Sequence, residues 1–216
     1  MKIKVELENG IRLLWPTPIF DKYFEGTEAM NARLLDIIHE KERESEGITK
    51  SVVRGWHSAD DVHTWDYPEI RQLLGCITEA ITQLTVVSSG VPEDKLSADT
   101  TFIAWANILR KGGYHKAHTH PGCVWSGVYY VDDGLSEAED IPDDAGCIEF
   151  SDPRHGVEMV PMPGNPFGQR VWYPPEAGRL LCFPAWLRHT VNPYMGERER
   201  VSIAFNVRVE AFEQFD

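Results

Sequence analysis

The pattern of apolar and polar positions changes character once along the chain, near residue 100. Before that point two segments repeat apolar residues at helical spacing. Met30, Leu34, Ile37 and Ile38 lie at i, i+4, i+7 and i+8 and predict a helix over 27–46, with Thr27 placed to cap it. Ile70, Leu73, Leu74, Ile77, Ile81 and Leu84 predict a second helix over 68–88, with Pro68 in its first turn and Gly90-Val91-Pro92 ending it. The charged run from Glu40 to Glu46 reads as a solvated helix end. Residues 1–24 alternate around Leu13, Leu14, Trp15, Ile19 and Phe20; one or two short strands fit, broken by Pro16 and Pro18. Arg54 to Ser58 reads as an irregular stretch.

From residue 100 onward, strand-sized runs are separated by Gly, Pro and Asp. They fall at 101–110, 115–121, 124–131, 146–151, 169–173, 178–183, 187–191 and 200–209. This texture predicts a mainly β protein with flanking helices (α+β), its core a double-stranded β-helix of the jelly-roll or cupin-like kind. Residues 1–99 would supply N-terminal strands and two helices packing on a core of residues 100–216, the whole forming one structural unit. In the first core strand Ile103, Trp105, Asn107 and Leu109 share a face. The acidic stretch 132–144 reads as a solvated turn, because its spacing matches no EF-hand loop. The Pro- and Gly-rich stretch 152–175 reads as a long insertion of the kind that forms substrate lids.

Composition narrows the classes. A formal charge of -13 argues against coating nucleic acid or an anionic membrane. There is no apolar run long enough to span a bilayer, and Met1-Lys2-Ile3-Lys4-Val5-Glu6 is not a signal peptide. Cys76, Cys123, Cys147 and Cys182 form no CxxC pattern and read as thiols of a reducing compartment, which predicts a cytoplasmic protein. The expected partners are small molecules, with no nucleic acid or membrane and a homodimer left open.

The candidate chemistry centres on His118-Thr119-His120. Read as a strand, this places both imidazoles on one face, ~6.7 Å apart at their Cα atoms and within reach of one metal ion. A third ligand from a neighbouring strand would leave positions open on the metal, and His189 is the candidate. Asp152 is a reserve ligand, and the isolated His57 reads as structural or solvated. On the last strand Arg200 and Ser202 share a face. An arginine directed into a β-core needs an anion, which a bound dicarboxylate could supply; the alternative is a solvated pair with Glu197 or Glu199.

With these residues in place the chain resembles the iron(II)/2-oxoglutarate-dependent oxygenases. The closest look is to their prolyl-hydroxylase-like branch, within it to a group of oxygenases of unassigned substrate. The resemblance is carried by His118-Thr119-His120-Pro121, Ser126-Gly127-Val128-Tyr129-Tyr130-Val131, Phe150-Ser151-Asp152-Pro153-Arg154, Phe183-Pro184-Ala185-Trp186-Leu187-Arg188-His189 and Arg200-Val201-Ser202-Ile203-Ala204-Phe205-Asn206. It covers residues 100–209 in detail, and Leu14-Trp15-Pro16-Thr17-Pro18 adds to it. It implies a dioxygenase (hydroxylase) of unknown substrate, using Fe(II) and 2-oxoglutarate. His118, His120 and His189 would hold the iron. Arg200 would pair with the distal carboxylate of 2-oxoglutarate, with Ser202 and Tyr130 beside it and Asn107 facing the cosubstrate. Asn206 would lie near the substrate.

The sequence departs from that pattern at His120, where most of the family has a carboxylate. One negative charge fewer weakens the preference for iron(II) and admits zinc. Two other readings therefore stay open. One is a three-histidine cupin, a metal dioxygenase or isomerase, since Gly112, His118, His120, Gly178, Pro184 and His189 fit part of the cupin pattern. The other is a metal-stabilised binding module without turnover.

Overall fold

The structure is a computed structural model, and it describes residues 14–135, 141–157 and 170–215. Its strands are β1 (Phe20–Tyr23), β2 (Val52–His57), β3 (Leu96–His118), β4 (Trp125–Asp132), β5 (Ile148–Ser151), β6 (Arg170–Tyr173), β7 (Arg179–Pro184), β8 (His189–Val191) and β9 (Arg200–Gln214). The helices α1 (Glu28–Glu44) and α2 (Pro68–Ser89) precede the long strand β3. The strands pair in the order β1-β7-β4-β9-β3-β8-β5-β6, and β2 adds to β3. The described pairings are antiparallel, and the sheet curls into a half-barrel. The predicted double-stranded β-helix with flanking helices is therefore the observed architecture.

Alternation along the strands sorts the side chains into two cores. Tyr129 and Val131 of β4, Leu180 and Cys182 of β7, and Val201, Ile203, Phe205 and Val207 of β9 face outward onto the helices. There they meet Met30, Leu34 and Ile38 of α1 and Ile70, Leu73, Ile77, Ala80 and Leu84 of α2. Each fully buried Leu or Ile in this layer contributes ~1.5–3 kcal/mol. The opposite residues, among them Val128, Tyr130, Ile148, Phe150, Leu181 and Phe183, form an inner core inside the half-barrel. With helices covering the outside of β9, its polar set, Arg200, Ser202 and Asn206, is left facing inward.

Three details differ from the sequence reading. The expected strands 101–110 and 115–121 are one strand, β3, whose first part pairs with β9 and whose last part pairs with β8. Gly112, at φ 80, and Gly113 mark the bend that carries β3 from one wall to the other. The expected division after residue 99 falls inside this strand. The stretch from Arg54 is not irregular but belongs to β2, paired with β3 through a bulge between Val53 and Gly55. Arg54, at φ 54, and Gly55 hide the period of two; a Cβ on Gly55 would lie 2.6 Å from the Ile108 carbonyl. Thr27 does not cap α1, because its hydroxyl donates to the Phe24 carbonyl at 3.1 Å. α2 closes as expected, with Gly90 in the left-handed conformation.

Some expectations lie outside the described residues. These are strand structure in residues 1–13, the centre of the acidic turn at 136–140, and residues 158–169 of the expected lid.

Candidate active site

His118 closes β3, and its cross-strand partner on β8 is His189. His120 lies just past the end of the regular ladder, where Pro121 supplies no N–H to continue it. It is held by its own N–H donating to the Ala185 carbonyl at 2.9 Å. The three imidazoles converge. Ligand nitrogens of His118, His120 and His189 all lie within 4.8 Å of one another, and they form the sole such group among the described residues. Ring centroids are 4.9 Å apart for His118–His120, 4.4 Å for His118–His189 and 5.2 Å for His120–His189. Asp152, the reserve ligand, stands outside this group and pairs with Arg154 at 2.6 Å.

The donor chemistry suits a metal. His118 Nδ1 donates to the Lys116 carbonyl at 2.6 Å, and His189 Nδ1 donates to the Leu187 carbonyl at 2.8 Å. A carbonyl can only accept, so each bond places the proton on Nδ1 and leaves the Nε2 lone pair free. Burial pushes His189 down to about 3 and His120 down to about 4, and it lowers His118 as well. Neutral imidazole is the ligating form.

Arg200 marks the other end of the same cavity, which Asn107, His115, Tyr130 and Ser202 also line. It is 1% exposed, and no carboxylate among the described residues pairs with it. Its Nη1 donates to Ser202 Oγ at 3.3 Å, and its guanidinium lies 5.0 Å from the Tyr130 ring centroid. Burial lowers its pKa and raises that of Tyr130. The contrast with Arg179 is informative: that arginine is also buried, but Asp21 meets it at 2.8 Å and Glu176 at 3.2 Å. The alternative of a solvated Arg200 paired with a neighbouring glutamate does not hold. Glu199 instead pairs with Arg110 and His39, and Glu197 with Lys111.

Asn107, Ser202 and Tyr130 sit side by side across β3, β9 and β4. Arg200 Nε, Tyr130 Oη and Asn107 Oδ1 are buried without a hydrogen-bond partner of regular geometry among the described residues. The two donors among them, Arg200 Nε and Tyr130 Oη, gathered with the buried charge at one end of a cavity, are costly in isolation and fit a carboxylate ligand, whereas Asn107 Oδ1 can only accept. Asn206, expected near the substrate, has its amide against the His120 ring, Nδ2 to Nδ1 at 3.1 Å. His57, read as structural or solvated, is buried, stacks on Trp105 at 5.5 Å and stands apart from the metal group.

One cavity residue escaped the sequence reading. His115 lies three positions before His118, which in a regular strand is the opposite face. A register shift between the two brings it inward, where it is 7% exposed. Its pKa lies well below the ordinary value, first through burial and then through the Arg200 charge. Only the Gly112-Gly113 pair upstream hinted at such an irregularity.

The comparisons agree with this geometry. Residues 103–206 match the family model described as "Putative 2OG-Fe(II) oxygenase". No match is found among curated proteins. Among solved structures the chain is similar to a prolyl-4-hydroxylase from Pseudomonas putida, at 15% identity and a TM-score of 0.61, covering 89% of this chain and 93% of that one. It is similar to a Trichoplax adhaerens prolyl hydroxylase in complex with a hypoxia inducible factor oxygen degradation domain peptide fragment, at 13% identity and TM-score 0.57, covering 90% and 84%. It is also similar to HygX from Streptomyces hygroscopicus with nickel and 2-oxoglutarate bound, at 10% identity and TM-score 0.57, covering 89% and 83%. At such identities the structural likeness establishes the shared fold. The family match spans the strands that carry His118, His120, His189 and Arg200, so residues 103–206 are similar in sequence to the 2-oxoglutarate- and iron(II)-dependent oxygenases.

Proposed function

We propose that the protein is an Fe(II)/2-oxoglutarate-dependent dioxygenase in which His118, His120 and His189 hold the metal. Arg200, helped by Ser202, Tyr130 and Asn107, binds the distal carboxylate of 2-oxoglutarate. The observation that carries this reading is the buried Arg200, which shares one cavity with the three histidines and has no acidic partner among the described residues. With iron(II) bound, oxygen and 2-oxoglutarate are consumed to succinate and carbon dioxide while one oxygen atom enters the substrate.

The chain's own residues prepare the site for that chemistry. The Lys116 and Leu187 carbonyls fix the ring orientation of His118 and His189. Arg200 offers a planar fork suited to a carboxylate, and the Tyr130 hydroxyl can donate to the same group. Phe183 packs edge-on against His189 at 4.9 Å and Phe150 lies at 6.0 Å, which keeps water from that ligand. Substituting Lys for Arg200 keeps the charge and loses the fork.

This reading places the protein in the cytoplasm, supported by four unpaired cysteines, of which Cys147 and Cys182 are buried. No helix among the described residues is long and apolar enough to cross a membrane. The test is anaerobic calorimetric titration of 2-oxoglutarate into the iron-loaded protein, paired with succinate release in air. Tight binding with slow substrate-independent succinate formation is expected. Metal binding without 2-oxoglutarate binding would favour the three-histidine cupin or the binding module instead.

A further inference from the structure

The three histidines are not held alike. His118 and His189 each face a backbone carbonyl, a partner that can only accept. His120 faces the side-chain amide of Asn206, which is 7% exposed and whose Nδ2 stands 3.1 Å from His120 Nδ1. On its other side His120 Nε2 lies 3.4 Å from His189 Nε2. With the amide NH2 donating to Nδ1, the His120 proton sits on Nε2 and points at the His189 lone pair. That chain of hydrogen bonds is self-consistent, but it withholds His120 Nε2 from a metal. It also leaves Asn206 Oδ1 buried without a partner among the described residues.

Turning the amide by 180° reverses the polarity with almost no change of shape. Oδ1 then accepts from Nδ1–H, the amide NH2 takes the place the oxygen held, and Nε2 presents a lone pair toward the other two histidines. We propose that Asn206 is a positioning residue that sets the tautomer of His120, making this third ligand available through an amide turn on metal loading. The inference rests on the three-histidine metal reading and deepens it. It concerns the position where the resembled family has a carboxylate. There a carboxylate binds with no tautomer to choose, whereas His120 needs a neighbour to choose it.

The test uses zinc as a diamagnetic metal on the 216-residue chain. Long-range proton–nitrogen NMR of the wild type should show His120 protonated at Nδ1 and metal-shifted at Nε2 once zinc is bound. Asn206→Leu keeps the volume and removes the acceptor. It should weaken zinc and iron(II) affinity about 10- to 100-fold, the usual effect of losing a hydrogen-bond partner behind a metal ligand. Asn206→Asp supplies a fixed acceptor and should restore binding to the wild-type level or tighter, a rescue that a merely structural role would not produce. Equal affinity in wild type and Asn206→Leu overturns the assignment. So does zinc-loaded wild type with His120 Nδ1 unprotonated, a result that stands even if the leucine variant does not fold. A wild type that binds no zinc overturns the three-histidine reading itself, and the assignment with it.

Discussion

His118 and His189 are direct cross-strand partners on β3 and β8, and their rings stand 4.4 Å apart. The ladder that pairs them is short, so the geometry of the metal group depends on the bend that swings the end of β3 onto β8. Replacing either histidine by Ala should abolish stoichiometric metal while leaving the sheet intact. Elemental analysis of anaerobically purified variants, with circular dichroism as the fold control, checks this. Metal content equal to wild type in both variants would remove them from the ligand set.

Arg200→Ala should keep its metal and its fold and lose 2-oxoglutarate affinity. Truncating one member of a buried charge-assisted pair costs ~2–5 kcal/mol, or roughly thirty- to several-thousand-fold. Arg200→Lys should recover part of that loss. Calorimetric titration of all three proteins reads it directly.

The same arginine is a liability in the ligand-free protein, because no carboxylate among the described residues meets its buried charge. Arg200→Met fills a similar volume without the charge and should raise stability in the absence of 2-oxoglutarate by about 1–4 kcal/mol, the gain seen when buried ionic groups are replaced by apolar ones. Adding 2-oxoglutarate should then stabilise the wild type and leave Arg200→Met unmoved. Urea melts with and without ligand supply the four numbers.

Tyr130→Phe tests the hydroxyl alone. Its oxygen is buried beside the Arg200 guanidinium and has no hydrogen-bond partner of regular geometry among the described residues. Removing it should weaken 2-oxoglutarate binding by about 1.5–3 kcal/mol, the range for a hydrogen bond to a charged group. Ligand-free stability should be unchanged or slightly higher. A variant with lower stability and normal affinity would assign Tyr130 to packing only.

His57 gives a prediction in pH. Burial holds its pKa below the ordinary 6.5, so the folded protein keeps it neutral while the unfolded chain protonates. Its contribution is complete above pH 6.5 and is lost as pH falls toward its folded pKa. His57→Phe retains an aromatic ring against Trp105 and removes the proton. The acid-side slope of stability should shrink by at most about 1.4 kcal/mol per pH unit, the linkage of one proton. Chemical denaturation of both metal-free proteins at successive pH values falling from neutral through the ordinary histidine range is the check.

The sequence by itself determined both helices and most of the strands. Met30, Leu34, Ile37 and Ile38 repeat at a helical period, and the turn residues after position 100 bound runs too short for anything but strands. It also determined that Arg200, Ser202 and Asn206 share one face of β9, since a period of two is fixed by the backbone. It could not say which face of β9 looks inward. That was decided by α1 and α2, which cover the apolar face formed by Val201, Ile203, Phe205 and Val207 and so turn the polar face into the barrel. Nor could it place His115, whose inward position depends on a register shift, or β2, whose period is broken by a bulge. The contact between Asn206 and His120 joins residues 86 positions apart. Local patterning records what each segment can bury; which segments then meet depends on the curl of the sheet and the bend in β3, and those arise only when the whole chain packs.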